Sequence, residues 1–136
     1  MTVVVDASVA LKWVLDEPGS DFAMALRTEE LAAPAFWLVE CANALWTWTV
    51  RGSLDSEEAL IRFAELSSAP VSLSPPEADI QEALRLAMEL GHPVYDCMYL
   101  ACALRLDAYV VTDDRRFLAA AARRADFKDR VRKLGG

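Results

Sequence analysis

Thr2-Val3-Val4-Val5-Asp6-Ala7-Ser8 places three consecutive valines ahead of one carboxylate and a small polar pair. A β-branched run without polar alternation predicts a strand buried on both faces, the habit of a central strand in a mostly parallel sheet. Asp6 then falls at the carboxyl end of that strand, the edge of an open α/β sheet where departing loops leave a crevice for ligands. Ser8 is placed to cap a helix over Val9 to Leu15. Taken alone, Asp6 reads as well as a helix cap as it does as a site carboxylate.

The remaining sequence is compatible with one domain over residues 1–136, large enough to bury a conventional core. Hydrophobic residues make up 54% of the chain, yet no run approaches the roughly 18 apolar residues of a membrane span. Asp6 and Lys12 interrupt the first fifteen residues, so no secretory leader is expected there, and the expected location is cytoplasmic, away from membranes. Cys41, Cys97 and Cys102 are an odd number without metal-type spacing and read as small buried hydrophobes. The one histidine, His92, lies between Gly91 and Pro93 in an expected loop. A histidine-based metal site or catalytic triad is thereby excluded, and serine or cysteine nucleophiles lack their usual base.

The formal net charge of −7 argues against nucleic acid as a partner until its distribution is read. Residues 115–133 hold Arg115, Arg116, Arg123, Arg124, Lys128, Arg130, Arg132 and Lys133 against Asp126 and Asp129. A solvated helix face accounts for such a run, and the asymmetry also permits local phosphate binding.

Outward from the first strand, helices are expected from Ser20 or Asp21 to Glu30 (Phe22, Ala25 and Leu26 inward), from Pro34 to about Arg51, and from Asp55 to Ser67. Another runs from Pro75-Pro76 to Leu90, with Ile80, Ala83, Leu84, Ala87 and Met88 inward and Gly91 closing it. Leu31-Ala32-Ala33 and Pro70-Val71-Ser72-Leu73 read as short strands, Tyr109-Val110-Val111 as a buried one, and Val131 to Leu134 as the last. Two helices are apolar nearly all round. One, Ala35 to Trp48, carries Glu40 with Asn43 a turn later; the other, Val94 to Leu104, carries Asp96 near its start. A carboxylate in such surroundings is costly unless paired or bound to a cation. Glu40 on a buried arginine, and Asp96 on the positive end of its helix dipole, are the structural alternatives.

The buried strand at Tyr109 ends in Thr112-Asp113-Asp114. If it neighbours the first strand, Asp6 and the Asp113-Asp114 pair share one edge, with Glu40 and Asp96 as the acids available to join them. Four carboxylates cannot all stay ionised together without a cation. All-oxygen ligation selects a hard ion, Mg²⁺ or Mn²⁺, suited to attack of an activated water on a phosphodiester.

Val4-Val5-Asp6-Ala7-Ser8, Val39 to Leu45 around Glu40, Tyr95 to Ala101 around Asp96, and Val111 to Phe117 around Asp113-Asp114 resemble the four acidic motifs of the PIN-domain family, in order and spacing. Length and element succession are similar to its VapC-type toxins. The resemblance implies an α/β fold with a central, mostly parallel sheet of four to five short strands and helices on both sides. It also implies a Mg²⁺- or Mn²⁺-dependent endoribonuclease, a homodimer, and inhibition by a small VapB-like antitoxin protein. By motif, Asp6 and Asp96 would be the principal metal ligands, Glu40 a ligand or orienter of the hydrated ion, and Asp114 the fourth acid. Ser8, Asn43, Thr112 and Asp113 would be supporting groups. Because the basic stretch begins directly after Asp114, Arg115 and Arg116 are expected at the lip of the acidic site, touching RNA phosphates. Trp13, Trp37, Trp46 and Trp48 are candidates for a dimer seam or antitoxin groove. Two rivals share the broad plan: a phospho-receiver module and a non-catalytic metal-binding interaction module. The receiver needs an acidic pair after its first strand and an acceptor aspartate after the third. Here the pair comes late, and Ser72-Leu73-Ser74 offers no acceptor.

Overall fold

A computed structural model describes residues 1–136. Strand β1 (Thr2–Val5) lies at the centre of a five-stranded sheet with β2 (Glu30–Pro34), β3 (Val71–Ser74), β4 (Tyr109–Thr112) and β5 (Val131–Lys133). Their spatial order is β3-β2-β1-β4-β5 and every pairing is parallel. This 3-2-1-4-5 order differs from the 2-1-3-4-5 order of receiver modules, which removes that rival on topology. The strand sequence reverses direction between β1 and β4, where Val3, Val4 and Val5 stand opposite Tyr109, Val110 and Val111. The crevice of such sheets lies at that switch point.

Helices cover both faces. Val4, Ala32 and Val110 face α3 (Trp37–Val50), α5 (Ile80–Leu90) and α6 (Val94–Arg105), through side chains such as Trp37, Cys41, Leu45, Leu86 and Tyr99. Val3, Val5, Leu31 and Val111 face the other way, onto Val9 of α1 (Ala7–Ala10) and Ala23 of α2 (Ser20–Ala25). Two-sided burial explains why β1 needs valine at its three buried positions. Helices α4 (Ser56–Ser67) and α7 (Arg115–Ala122) complete the layers. No helix is long and apolar enough to cross a membrane. All three cysteines are free and buried, and burial holds their thiols above the ordinary range.

Several local expectations change. The helix after β1 is two short pieces, α1 and a 3₁₀ turn over Leu11–Trp13. Its cap is Asp6 rather than Ser8: Val9 N–H donates to Asp6 Oδ1 at 3.2 Å. Helix α2 stops at Ala25 and passes into a 3₁₀ turn over Leu26–Thr28, leaving Phe22 and Ala25 exposed and Ala23 inward. Pro34 ends β2 instead of opening α3, and Pro76 opens a 3₁₀ turn before α5. The inward face of α5 is Ala83, Leu86 and Leu90; Ile80, Leu84 and Met88 face outward.

Candidate active site

Parallel pairing of β1 with β4 brings Asp6 beside Thr112, and the Thr112 hydroxyl donates to Asp6 Oδ2. Ser8 Oγ donates to Asp6 Oδ1 at 2.7 Å and accepts from Asp113 N–H at 3.0 Å. Only 5% of Asp6 is exposed. Desolvation lifts its carboxyl to about 6 against the pull of these donors, and the Asp96 charge adds to the rise.

Asp114 caps α7, accepting from Arg116 N–H at 2.9 Å and Phe117 N–H at 3.2 Å. Its own N–H donates to Thr112 Oγ1 at 3.0 Å, so one threonine ties two of the acids together. Asp113 turns away, with Oδ2 3.4 Å from the buried Lys12 ammonium. Of the doubled pair, Asp114 is therefore the one that faces the other carboxylates.

Glu40 does not meet an arginine. Its Oε1 accepts from the hydroxyl of Tyr99, a fully buried side chain on α6 that the sequence marked only as apolar filling. Burial raises the Glu40 carboxyl, the Tyr99 bond opposes this, and the charges of Asp96 and Asp114 raise it further. Asn43 is exposed beside Glu40 in a shallow pocket shared with Phe36, Val39, Ala44 and Tyr95. Asp96 is raised by burial and by Asp114, and lowered by a hydrogen bond to His92. His92, to which the sequence assigned only a loop, lies against the acids with Nε2 2.6 Å from Asp96 Oδ2.

Four carboxylates from four elements thus feel one another's charge. None of the four pairs with a lysine or arginine. Their side chains do not converge into a group of three that clasps one ion. Each is held by its own protein donor, which keeps the like charges apart. The donor set nevertheless suits a hard cation: Asp96 Oδ1, Glu40 Oε2 and Asp114 Oδ2 have no protein donor. An ion that retains several of its waters needs no direct contact with all four acids.

Around this cluster, Arg115 and Arg116 are exposed and form no ion pair. Farther along the basic stretch, Arg124 pairs with Glu89 and Asp126, and Arg130 with Asp107. Among the tryptophans, Trp37 is core and Trp13 donates to Ala23 O at 2.8 Å. Trp48 is partly buried, whereas Trp46 is 61% exposed and lines an apolar groove between α3 and α4 with Leu45, Leu60 and Phe63.

The PIN domain family model matches residues 3–123. Ribonuclease VapC12 of Mycobacterium tuberculosis is 32% identical over 127 residues, 93% of this chain and 97% of that protein. The crystal structure of PAE2754 from Pyrobaculum aerophilum superposes with a TM-score of 0.73 at 26% identity, covering 99% of this chain and 85% of that one. VapBC2 from Rickettsia felis, crystallised bound to a DNA fragment from its promoter, gives a TM-score of 0.68 over 98% of both chains. At 13% identity that likeness concerns the fold.

Proposed function

The chain belongs to the PIN-domain family, and we propose that it is an endoribonuclease that hydrolyses RNA phosphodiester bonds with Mg²⁺ or Mn²⁺ and is restrained by a small VapB-like antitoxin. One observation carries the reading. Asp6, Glu40, Asp96 and Asp114 arrive from four separate elements at the β1–β4 switch point, raised or capped there without any lysine or arginine partner. Likeness to Ribonuclease VapC12 along nearly its whole length supports RNA as the substrate class.

In this reading Asp6 and Asp96 would be the principal ligands, Asp114 would complete the set, and Glu40 would orient the hydrated ion. A bound ion supplies an acidified water and neutralises charge on the phosphate under attack. Asp6 is fixed by three donors and cannot swing away. Thr112 keeps Asp6 and Asp114 in register. Glu40, raised by burial and by its acidic neighbours, is suited to take a proton at Oε2, the oxygen that Tyr99 leaves free. Arg115 and Arg116 follow Asp114 directly and are free to meet the backbone of a single strand on either side of the scissile bond. Antitoxin and dimer contacts need apolar surface outside the acidic cluster, which Trp46 and the α3–α4 groove provide.

The deciding experiment incubates the purified protein with RNA oligonucleotides in chelator, and then with Mg²⁺ or Mn²⁺ restored. Cleavage is expected with the metals alone, and is expected to vanish in a folded Asp96→Asn variant. Absence of metal-dependent cleavage across diverse RNAs removes the reading. Light scattering reports the dimer, and co-purification with the product of a short neighbouring reading frame reports the antitoxin.

A further inference from the structure

His92 is the chain's single histidine, and the backbone gives it little choice of position. Gly91 ends α5 at a left-handed φ of 61°, and Pro93 enters α6 in extended geometry. Three residues therefore join the two helices, and the middle side chain meets Asp96 in the first turn of α6. His92 Nε2 is 2.6 Å from Asp96 Oδ2. Its ring stacks on Phe117 of α7, with 5.7 Å between centroids and 16° between planes. Its backbone N–H donates to Ala87 O at 3.2 Å. Phe117 N–H in turn donates to Asp114 Oδ1. One imidazole thus holds one acid directly and packs against the helix turn that holds another. Burial of an aromatic ring needs only the stack. The hydrogen bond aimed at a carboxylate oxygen calls for a further account.

We propose that His92 is a positioning residue, whose Nε2–H holds Asp96 by Oδ2 so that Oδ1 faces the cation, while the Phe117 stack fixes the ring. An ionised carboxylate offers Nε2 only acceptors, so the histidine must donate. Groups that orient metal-binding side chains in this way contribute to affinity without touching the ion. The role rests on the metal-dependent nuclease reading above.

Two substitutions separate its parts. His92→Phe keeps an aromatic ring on Phe117 and loses the donor, whereas His92→Gln places an amide N–H close to the lost Nε2 and gives up the stack. In the full-length protein, Mn²⁺ affinity is measured by calorimetry and RNA cleavage by steady-state kinetics. His92→Phe should weaken Mn²⁺ binding and lower kcat by roughly 10- to 100-fold with KM for RNA little changed. His92→Gln should recover most of both. Ring ¹⁵N shifts of the one imidazole, unambiguous in this chain, should show the proton on Nε2 and should change in Asp96→Asn. A parent that cleaves RNA beside an equally active His92→Phe variant overturns the role of His92 alone, and so does a glutamine variant no better than phenylalanine. A parent that neither binds Mn²⁺ nor cleaves RNA removes the nuclease reading and this role together.

Discussion

Burial lifts the Asp6 carboxyl from its ordinary 3.8 to about 6, although Thr112, Ser8 and Val9 all donate to it. Between those two values the folded chain holds a proton that the unfolded chain has released. Stability contributed by Asp6 is thus fully present below pH 3.8 and lost as the pH rises through about 6. The loss is on the order of 3 kcal/mol. In chelator, Asp6→Asn should therefore gain on the parent by up to that amount between pH 4 and pH 7, as followed by chemical denaturation. A gap that stays flat with pH would contradict the assignment. Tyr99→Phe should remove about 1.5 kcal/mol with an unchanged denaturant slope, because it strips from the half-buried Glu40 the hydroxyl donor that the core holds against it. The cap reading of Asp6 holds, and the same carboxylate, at a strand end that opens a helix, also lies where the charge of Asp96 reaches it. Ser8 is not the cap because the helix begins at Ala7, one residue before it, and its hydroxyl is committed to Asp6 and to Asp113 N–H. Tyr99 and His92 were illegible at this scale, since a phenol in an apolar helix and an imidazole in a short turn acquire partners only through tertiary packing.

Helix α5 shows why elements are readable in extent before they are readable in orientation. Its apolar residues Ile80, Ala83, Leu84, Leu86, Ala87, Met88 and Leu90 cover more than one face, so periodicity offers two stripes. The choice is made by α6 and by an ion pair at the surface end of the hairpin: the exposed Arg105 of α6 donates to Asp79 at 2.7 and 3.0 Å, and Asp79 is almost wholly buried just before α5. That pair turns Ala83, Leu86 and Leu90 inward. It also braces the helix hairpin that presents His92 and Asp96. Arg105→Met leaves the buried Asp79 carboxylate without its partner and, with the arginine side of the pair open to water, should cost on the order of 1 kcal/mol, with Asp79→Leu in the same chain restoring much of it. Urea midpoints of the single and double variants check this, and additive losses would show that the pair is not coupled. Boundaries were misread where proline or a short linker set the geometry, as at Pro34 and after Ala25, because the same residues suit strand ends and 3₁₀ turns.

At the scale of the molecule, a net negative chain carries a basic segment whose first two members flank the acids. Arg115→Ala with Arg116→Ala should flatten the salt dependence of single-strand RNA binding by a slope of about 0.7 for each phosphate no longer neutralised. An unchanged slope assigns both arginines to solvent. In the proposed reading a cation binds the folded chain alone, so Mg²⁺ or Mn²⁺ at a hundredfold excess over Kd should add up to about 2.7 kcal/mol of stability. Asp96→Asn should melt no lower than the parent without metal and respond far less to it, which thermal melts will show. The sheet topology has one more consequence, in time rather than in space. Val3 pairs with Tyr109, so the edge that gathers the acids closes across most of the chain's length. Contacts so distant in sequence form late and slowly. A partly synthesised polypeptide would then hold every acid but the last and have no cleft to put them in, so an activity of the proposed kind would begin only once Tyr109 and the residues after it have emerged.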